Sequence, residues 1–399
     1  MSDPSVRVVR RAPARSRVFL LLAGVLALVA AACAPAPPTP PLATGYNPDD
    51  APQAGVAAYT GDGPHKVGVT TLSLSDRKVE VWYPADNASI GSTPKDAYYI
   101  RSFVPPSFDP FIPPDINPPY VTNAYRDVPA ATDGPYPLAL FSHGAAGYRL
   151  TSTELTTHLA SWGFVVIAPD YLERGLTSAL GSPPASPRPD TVIADEAINL
   201  IKGANLAPGP LNGIVNSTKV YPFGHSAGGG TSLRLLDRPD VDAVIPMASG
   251  VSLASIQGAY NIGLPPGKSI MWLGGRNDGI ASIANVRTGY DYTAGQKKII
   301  EFGGTGHNNA FTEICEIGGG GAVALAVAAG LPVPDFLLNL GADGCSSPPF
   351  TDSPVMWPQV NHLITAELRY RSGLDPLPVG LGTQVTAALP NVLDYRHAP

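Results

Sequence analysis

The chain has 399 residues, is 44% hydrophobic and 15% charged, and carries 26 basic against 32 acidic residues. That length and composition suit a globular protein with one large α/β domain or two small ones, and leave ample chain to bury a core. A net charge of −6 gives no electrostatic reason to bind nucleic acid or an anionic lipid surface.

Residues 1–32 read as a secretion signal. Arg7, Arg10, Arg11, Arg15 and Arg17 form a basic leader, and Val18 to Ala32 is an apolar run of 15 residues, short for a bilayer span. The next stretch, Ala30-Ala31-Ala32-Cys33 followed by APAPPTPP, resembles a bacterial lipoprotein cleavage box. In that reading Cys33 bears the lipid and residues 33–55 are a proline-rich tether at the cell envelope. Ala30 stands where leucine is usual, so plain cleavage after an A-x-A site, with a secreted product, is the rival, and a retained membrane anchor is a third reading. Cleavage removes five arginines and one aspartate, leaving 21 basic and 31 acidic residues, a net charge of −10. Beyond Cys33 the remaining cysteines are Cys315 and Cys345, and two cysteines in an exported chain are expected to pair. No C-x-x-C or histidine cluster suggests a metal.

The main domain is expected over residues 56–375. VGVTTLSL (67–74) and KVEVWY (78–83) predict an opening strand hairpin. A proline- and aromatic-rich insert follows at about 87–135. Its Tyr98, Tyr99, Phe103, Phe108, Phe111, Tyr120 and Tyr125 either line an acyl or aromatic groove or pin the loop to the surface. YPLALFSHG (136–144) predicts a buried strand, Leu155, Leu159 and Trp162 a helix, and GFVVIAPDY (163–171) another buried strand. Residues 190–202 suit a helix, KVYPFG (219–224) a strand and Ala227 to Leu236 a helix. DAVIPMAS, SIMWLGG and KKIIEFGG supply three further strands. A second insert is expected at about 316–356, a last helix at about 358–371 and a C-terminal tail at 376–399. Strands alternating with helices predict a mostly parallel sheet covered on both faces.

In YPFGHSAGGGTS (221–232), Gly224-His225-Ser226-Ala227-Gly228 fits the G-x-S-x-G elbow, at a predicted strand-to-helix junction. An alcohol is a poor nucleophile at neutral pH, so Ser226 needs a base and the base needs an orienting acid. On such a fold the chain order is serine, acid, histidine. Downstream of Ser226 stand His307, His362 and His397. His307, in a loop after a predicted strand, is the candidate base, while His362 reads as a helix-surface residue. Asp278, in the turn after SIMWL, is the candidate acid. Asp237, Asp240 and Asp242 come too soon after the elbow, Asp291 sits in a helix-like stretch, and Asp170 precedes the serine. Oxyanion donors are expected at the N–H groups of Ala227 and Ala145, the latter in the turn SHGAAG. His143 reads as a brace for that turn.

VEVWYPAD (79–86), FSHGAAGYR (141–149), GHSAGGGTS (224–232), GGRNDGIA (274–281) and GHNNAFTEIC (306–315) together resemble bacterial α/β-hydrolases related to platelet-activating factor acetylhydrolase and to predicted dienelactone hydrolases. The resemblance covers roughly residues 65–370. It implies an α/β-hydrolase fold, Ser226 as nucleophile, Asp278 as acid, His307 as base and Ala145 with Ala227 as oxyanion donors. True dienelactone hydrolases carry cysteine where this chain has serine. The implied activity is cofactor-independent, metal-free hydrolysis of a small-molecule or lipid ester by an exported monomer. Short-chain acyl or phospholipid-like esters are the expected substrates, with a polyester or cutin hydrolase, a lipase and a non-catalytic binding lipoprotein as alternatives.

Overall fold

The computed structural model describes residues 55–251 and 268–398. The expected secretion signal, Cys33 and nearly all of the proline-rich linker lie outside them. Eleven strands form one sheet: β1 Lys66–Ser73, β2 Lys78–Ala85, β3 Lys95–Tyr98, β4 Tyr120–Arg126, β5 Tyr136–Ser142, β6 Val165–Pro169, β7 Val215–His225, β8 Ala243–Met247, β9 Ser269–Gly275, β10 Gln296–Phe302 and β11 Val392–Ala398. Their order across the sheet is β11-β10-β9-β8-β7-β5-β6-β2-β1-β4-β3. The run from β6 through β5, β7, β8 and β9 to β10 is parallel, while β2 and β11 pair antiparallel at its two ends. This is the α/β-hydrolase fold.

The central strands β5, β6, β8 and β9 are largely apolar because both faces are covered. In β5, Ala139 and Phe141 enter one core while Leu138 and Leu140 enter the other; in β9, Met271 and Leu273 oppose Ile270 and Trp272. Two-residue alternation therefore separates two cores rather than core from water. Helices α1 (Thr153–Ser161) and α7 (Ser353–Ser372) cover the first face through Leu155, Leu159, Leu363 and Ile364. On the second, α2 (Asp190–Leu206) and α4 (Ile283–Tyr292) supply Ile198, Ile201 and Val286.

Three segments differ from the sequence reading. The insert at 87–135 is not all loop: β3 and β4 extend the sheet beyond β1. The segment read as a tail ends in β11, whose Tyr395 and Arg396 pair with Ile300 and Ile299 of β10. The last helix begins at Ser353 rather than near 358, because Pro354 occupies the opening turn where a missing N–H costs nothing, and Pro358 is carried inside.

Candidate active site

The chain turns at Ser226, between the end of β7 and helix α3 (Ala227–Arg234), with φ 55° and ψ −123°. A non-glycine residue held there is strained, by about 1–3 kcal/mol, and persists only because its surroundings fix it. The surrounding glycines serve closeness rather than freedom. A Cβ on Gly228 would sit 1.9 Å from the Ser142 carbonyl oxygen, and one on Gly224 would sit 2.4 Å from the Gly228 oxygen. The backbones of β5, β7 and α3 thus touch directly, and Ser226 N–H donates to Met247 O at 2.8 Å.

Asp278 and His307 follow β9 and β10, so both reach the same sheet edge as Ser226. His307 Nδ1–H donates to Asp278 Oδ2 at 2.9 Å. The other carboxylate oxygen, Oδ1, accepts the N–H groups of Ile280 at 2.8 Å and Ala281 at 2.7 Å, which locks its plane. His307 is buried, and its Nε2 has no hydrogen-bond partner among the described residues. Nδ1 is therefore committed to Asp278, and Nε2 is the ring nitrogen left without a partner.

The elbow and the base are tied together by His225, whose role was not read from the sequence. His225 Nε2–H donates to the His307 carbonyl at 2.8 Å, and the two rings lie 4.7 Å apart. Burial, reinforced by His307, holds the His225 pKa well below its ordinary value, so it stays neutral. It is the variable position inside the serine motif, and only that adjacency hints at its function.

Asp343 is the second residue that was missed. One carboxylate oxygen accepts the His307 N–H at 2.6 Å and the other accepts the Gly279 N–H, next to Asp278, at 3.1 Å. Its carbonyl takes the Asn308 N–H. A single side chain thus links the His307 loop to the Asp278 loop. Asp343 belongs to the second insert, where helices α5 (Ala322–Ala328) and α6 (Asp335–Ala342) lie between Cys315 and Cys345, joined as a disulfide. Glu313, on the His307 loop, is wholly buried and accepts from Thr153 N and Oγ1 at the start of α1. Burial and the neighbouring Glu154 push its pKa up to about 8.

In the turn after β5, Ala146 N–H is taken by Arg174 O at 2.7 Å and Gly147 N–H by Gly144 O at 3.2 Å. Ala145 is exposed, and its N–H has no partner among the described residues. Ala227 is also exposed, at the first position of α3, where an N–H lacks an intrahelical acceptor. His143 accepts the Tyr171 N–H at 2.9 Å and donates to Gly144 O at 2.9 Å; burial lowers its pKa to about 3.

The remaining candidates lie elsewhere. His362 is not on a helix surface. It is fully buried, accepting the Tyr59 N–H at 3.0 Å and donating to Gly380 O at 2.9 Å, because the segments around 59 and 380 cover α7. His397 belongs to β11, Asp291 ends α4, and Asp170 is paired with Arg149.

A cleft of about 150 Å³ opens over His225, His307 and the turn from Gly144 to Gly147. Both inserts wall it, through Ile100, Val104 and Ile112 on one side and Leu325, Leu337 and Leu338 on the other. The insert aromatics do not line it. Tyr98 packs on Tyr120 and Tyr148, and Phe103 stacks on Tyr148 at 4.2 Å, which pins the first insert to the body.

The profile of a family described as chlorophyllase matches residues 125–238. The match includes FSHGAAGYR and GHSAGGGTS but stops short of Asp278 and His307. It supports the hydrolase superfamily without singling out relatives of platelet-activating factor acetylhydrolase or dienelactone hydrolase, and with the fold it points to an ester hydrolase of the α/β type. A search of curated proteins returns no match.

Proposed function

We propose that this chain is an exported serine carboxylic ester hydrolase that works through an acyl-enzyme. The observation carrying the reading is the His307–Asp278 hydrogen bond, which leaves Nε2 without a partner on a loop that His225 ties to the strained serine elbow. Ser226 Oγ attacks the ester carbonyl carbon while its proton passes to His307 Nε2. Charge collects on the carbonyl oxygen, where the N–H groups of Ala145 and Ala227 receive it. The imidazolium, steadied by Asp278, returns the proton to the departing alkoxide. Water then repeats the sequence, giving the free acid and restoring Ser226.

Export is part of the proposal. A disulfide at Cys315–Cys345 is at home in an oxidising compartment. Whether Cys33 carries lipid or is left unmodified is read from the mass of the mature amino terminus.

The test of the catalytic reading is covalent labelling by a fluorophosphonate probe together with Ser226→Ala. Label should fall on Ser226, and the substitution should lower turnover on the order of 10⁶-fold with an unchanged melting temperature. Ester hydrolysis within tenfold of the parent would remove Ser226 from the mechanism.

A further inference from the structure

We infer that the cleft over His307 takes a neutral aliphatic chain of the ester, several carbons long, so that the enzyme prefers long-chain esters to acetates. The inference rests on the esterase reading for its kinetic arm and names the substrate class of that site. Three features of the cleft carry it.

The walls are aliphatic. None of the described residues lining the cleft is Phe, Tyr or Trp, and the two inserts contribute Ile, Val and Leu side chains to both of its insert walls. Flat ring systems are usually gripped by stacking, whereas branched aliphatic walls fit a flexible chain.

The described lining residues also offer no available permanent charge. Among the described lining residues only Arg101 bears one, and its guanidinium is committed to Asp109, with Nε to Oδ1 at 2.6 Å. A phosphate or carboxylate entering would lose its water with no free cation to meet it, so the occupant is uncharged.

The pair of helices α5 and α6 itself asks for a cover. Residues 317–342 contain a single ionisable side chain, Asp335, and α5 reads AVALAVA without one fully buried residue. Its Val323, Leu325 and Ala326 face the cleft. The disulfide and Asp343 hold this apolar wall against the base loop, so the cleft stands ready before substrate arrives. His307 and the turn from Gly144 to Gly147 also line it, so a chain lodged there lies beside the proposed base and the proposed oxyanion donor Ala145.

The chain is either the acyl or the alkyl part of the ester, and two substrate series separate these. The first holds the p-nitrophenyl group and lengthens the acid from acetate to dodecanoate. The second holds acetate and lengthens the alcohol from ethanol to dodecanol, all below micelle formation. In one series kcat/KM should rise about fourfold per methylene until the cleft is full, the ratio that burial of a CH₂ predicts. Ala326→Phe and Leu338→Trp, which fill the cleft from the two helices, should each lower the twelve-carbon over two-carbon preference at least tenfold. Calorimetry of dodecanol on the Ser226→Ala protein gives a readout free of catalysis: binding with a negative heat-capacity change is expected, and none with ethanol. Flat or falling profiles in both series, with Ser226-dependent acetate hydrolysis intact, would overturn the inference and leave the esterase standing. Dodecanol binding without hydrolysis of any ester would do the reverse.

Discussion

Ser226 and His307, the proposed nucleophile and base, are held by two different means. Ser226 is fixed by main chain pressed on main chain: Gly224 and Gly228 leave no space for a methyl group between β5, β7 and α3. His307 is fixed by polar side chains that arrive from far along the sequence, Asp343 36 residues downstream and His225 82 residues upstream. Steric fixing tolerates no added volume at either glycine. Polar fixing is distributed, and each strand of it can be cut separately.

Cutting the bond that orients the base should have the largest effect. Asp278→Asn presents an amide to Nδ1, favours the wrong tautomer and should lower kcat on the order of 10⁴-fold, read from steady-state rates on a p-nitrophenyl ester. If Asp291→Asn proved the more damaging change, the acid would be misassigned.

On the steric side, Gly228→Ala must push Ser142 aside and should cost about 3 kcal/mol or more in urea unfolding, with activity lost alongside. An alanine there as stable as glycine would mean that the elbow is not packed as described.

Asp343→Ala removes both acceptors that join the two loops. A displacement of about 1 Å at the imidazole costs on the order of 10²-fold, so kcat should fall by that much while KM moves less than threefold. Asp343→Asn keeps one acceptor and should recover part of the loss. A change confined to KM would assign Asp343 to substrate binding.

The smallest expected effect has the opposite sign. Gly230 lies in the same helix as Gly228, but a Cβ there meets nothing nearer than Arg234 Nη1 at 3.5 Å. Gly230→Ala should therefore stabilise the fold by about 0.5–1 kcal/mol without altering kcat. Destabilisation would show that all four elbow glycines are needed, not only those in contact.

The contrast explains what could be read in advance. Most of the parallel strands contain a short apolar run, such as LALF in β5 or VVIA in β6, and such runs are visible in any linear reading; so is a serine crowded by glycines. Asp343 carries no comparable local mark, since an aspartate in ADGC looks like a solvated turn until the disulfide and helices α5 and α6 bring it under His307. Strands β3 and β4 were hidden by the prolines around them and by their position at the sheet edge, where pairing depends on β1 rather than on their own pattern. His362 was misread because its helix is covered by segments without regular structure, which periodicity does not reveal.

Glu313 gives the base loop a dependence on protons that is separate from catalysis. Between about pH 4.5 and about 8 the folded protein keeps on this carboxyl a proton that the unfolded chain has released. Protonation is thus a ligand that binds the native state, and folding stability declines as pH rises through that interval, levelling off above it. The melting temperature should trace this decline in buffers of equal ionic strength, and Glu313→Gln, a permanent mimic of the protonated group, should flatten it. The hydrogen ion here acts as a structural component of the enzyme, supplied by the medium rather than by the gene.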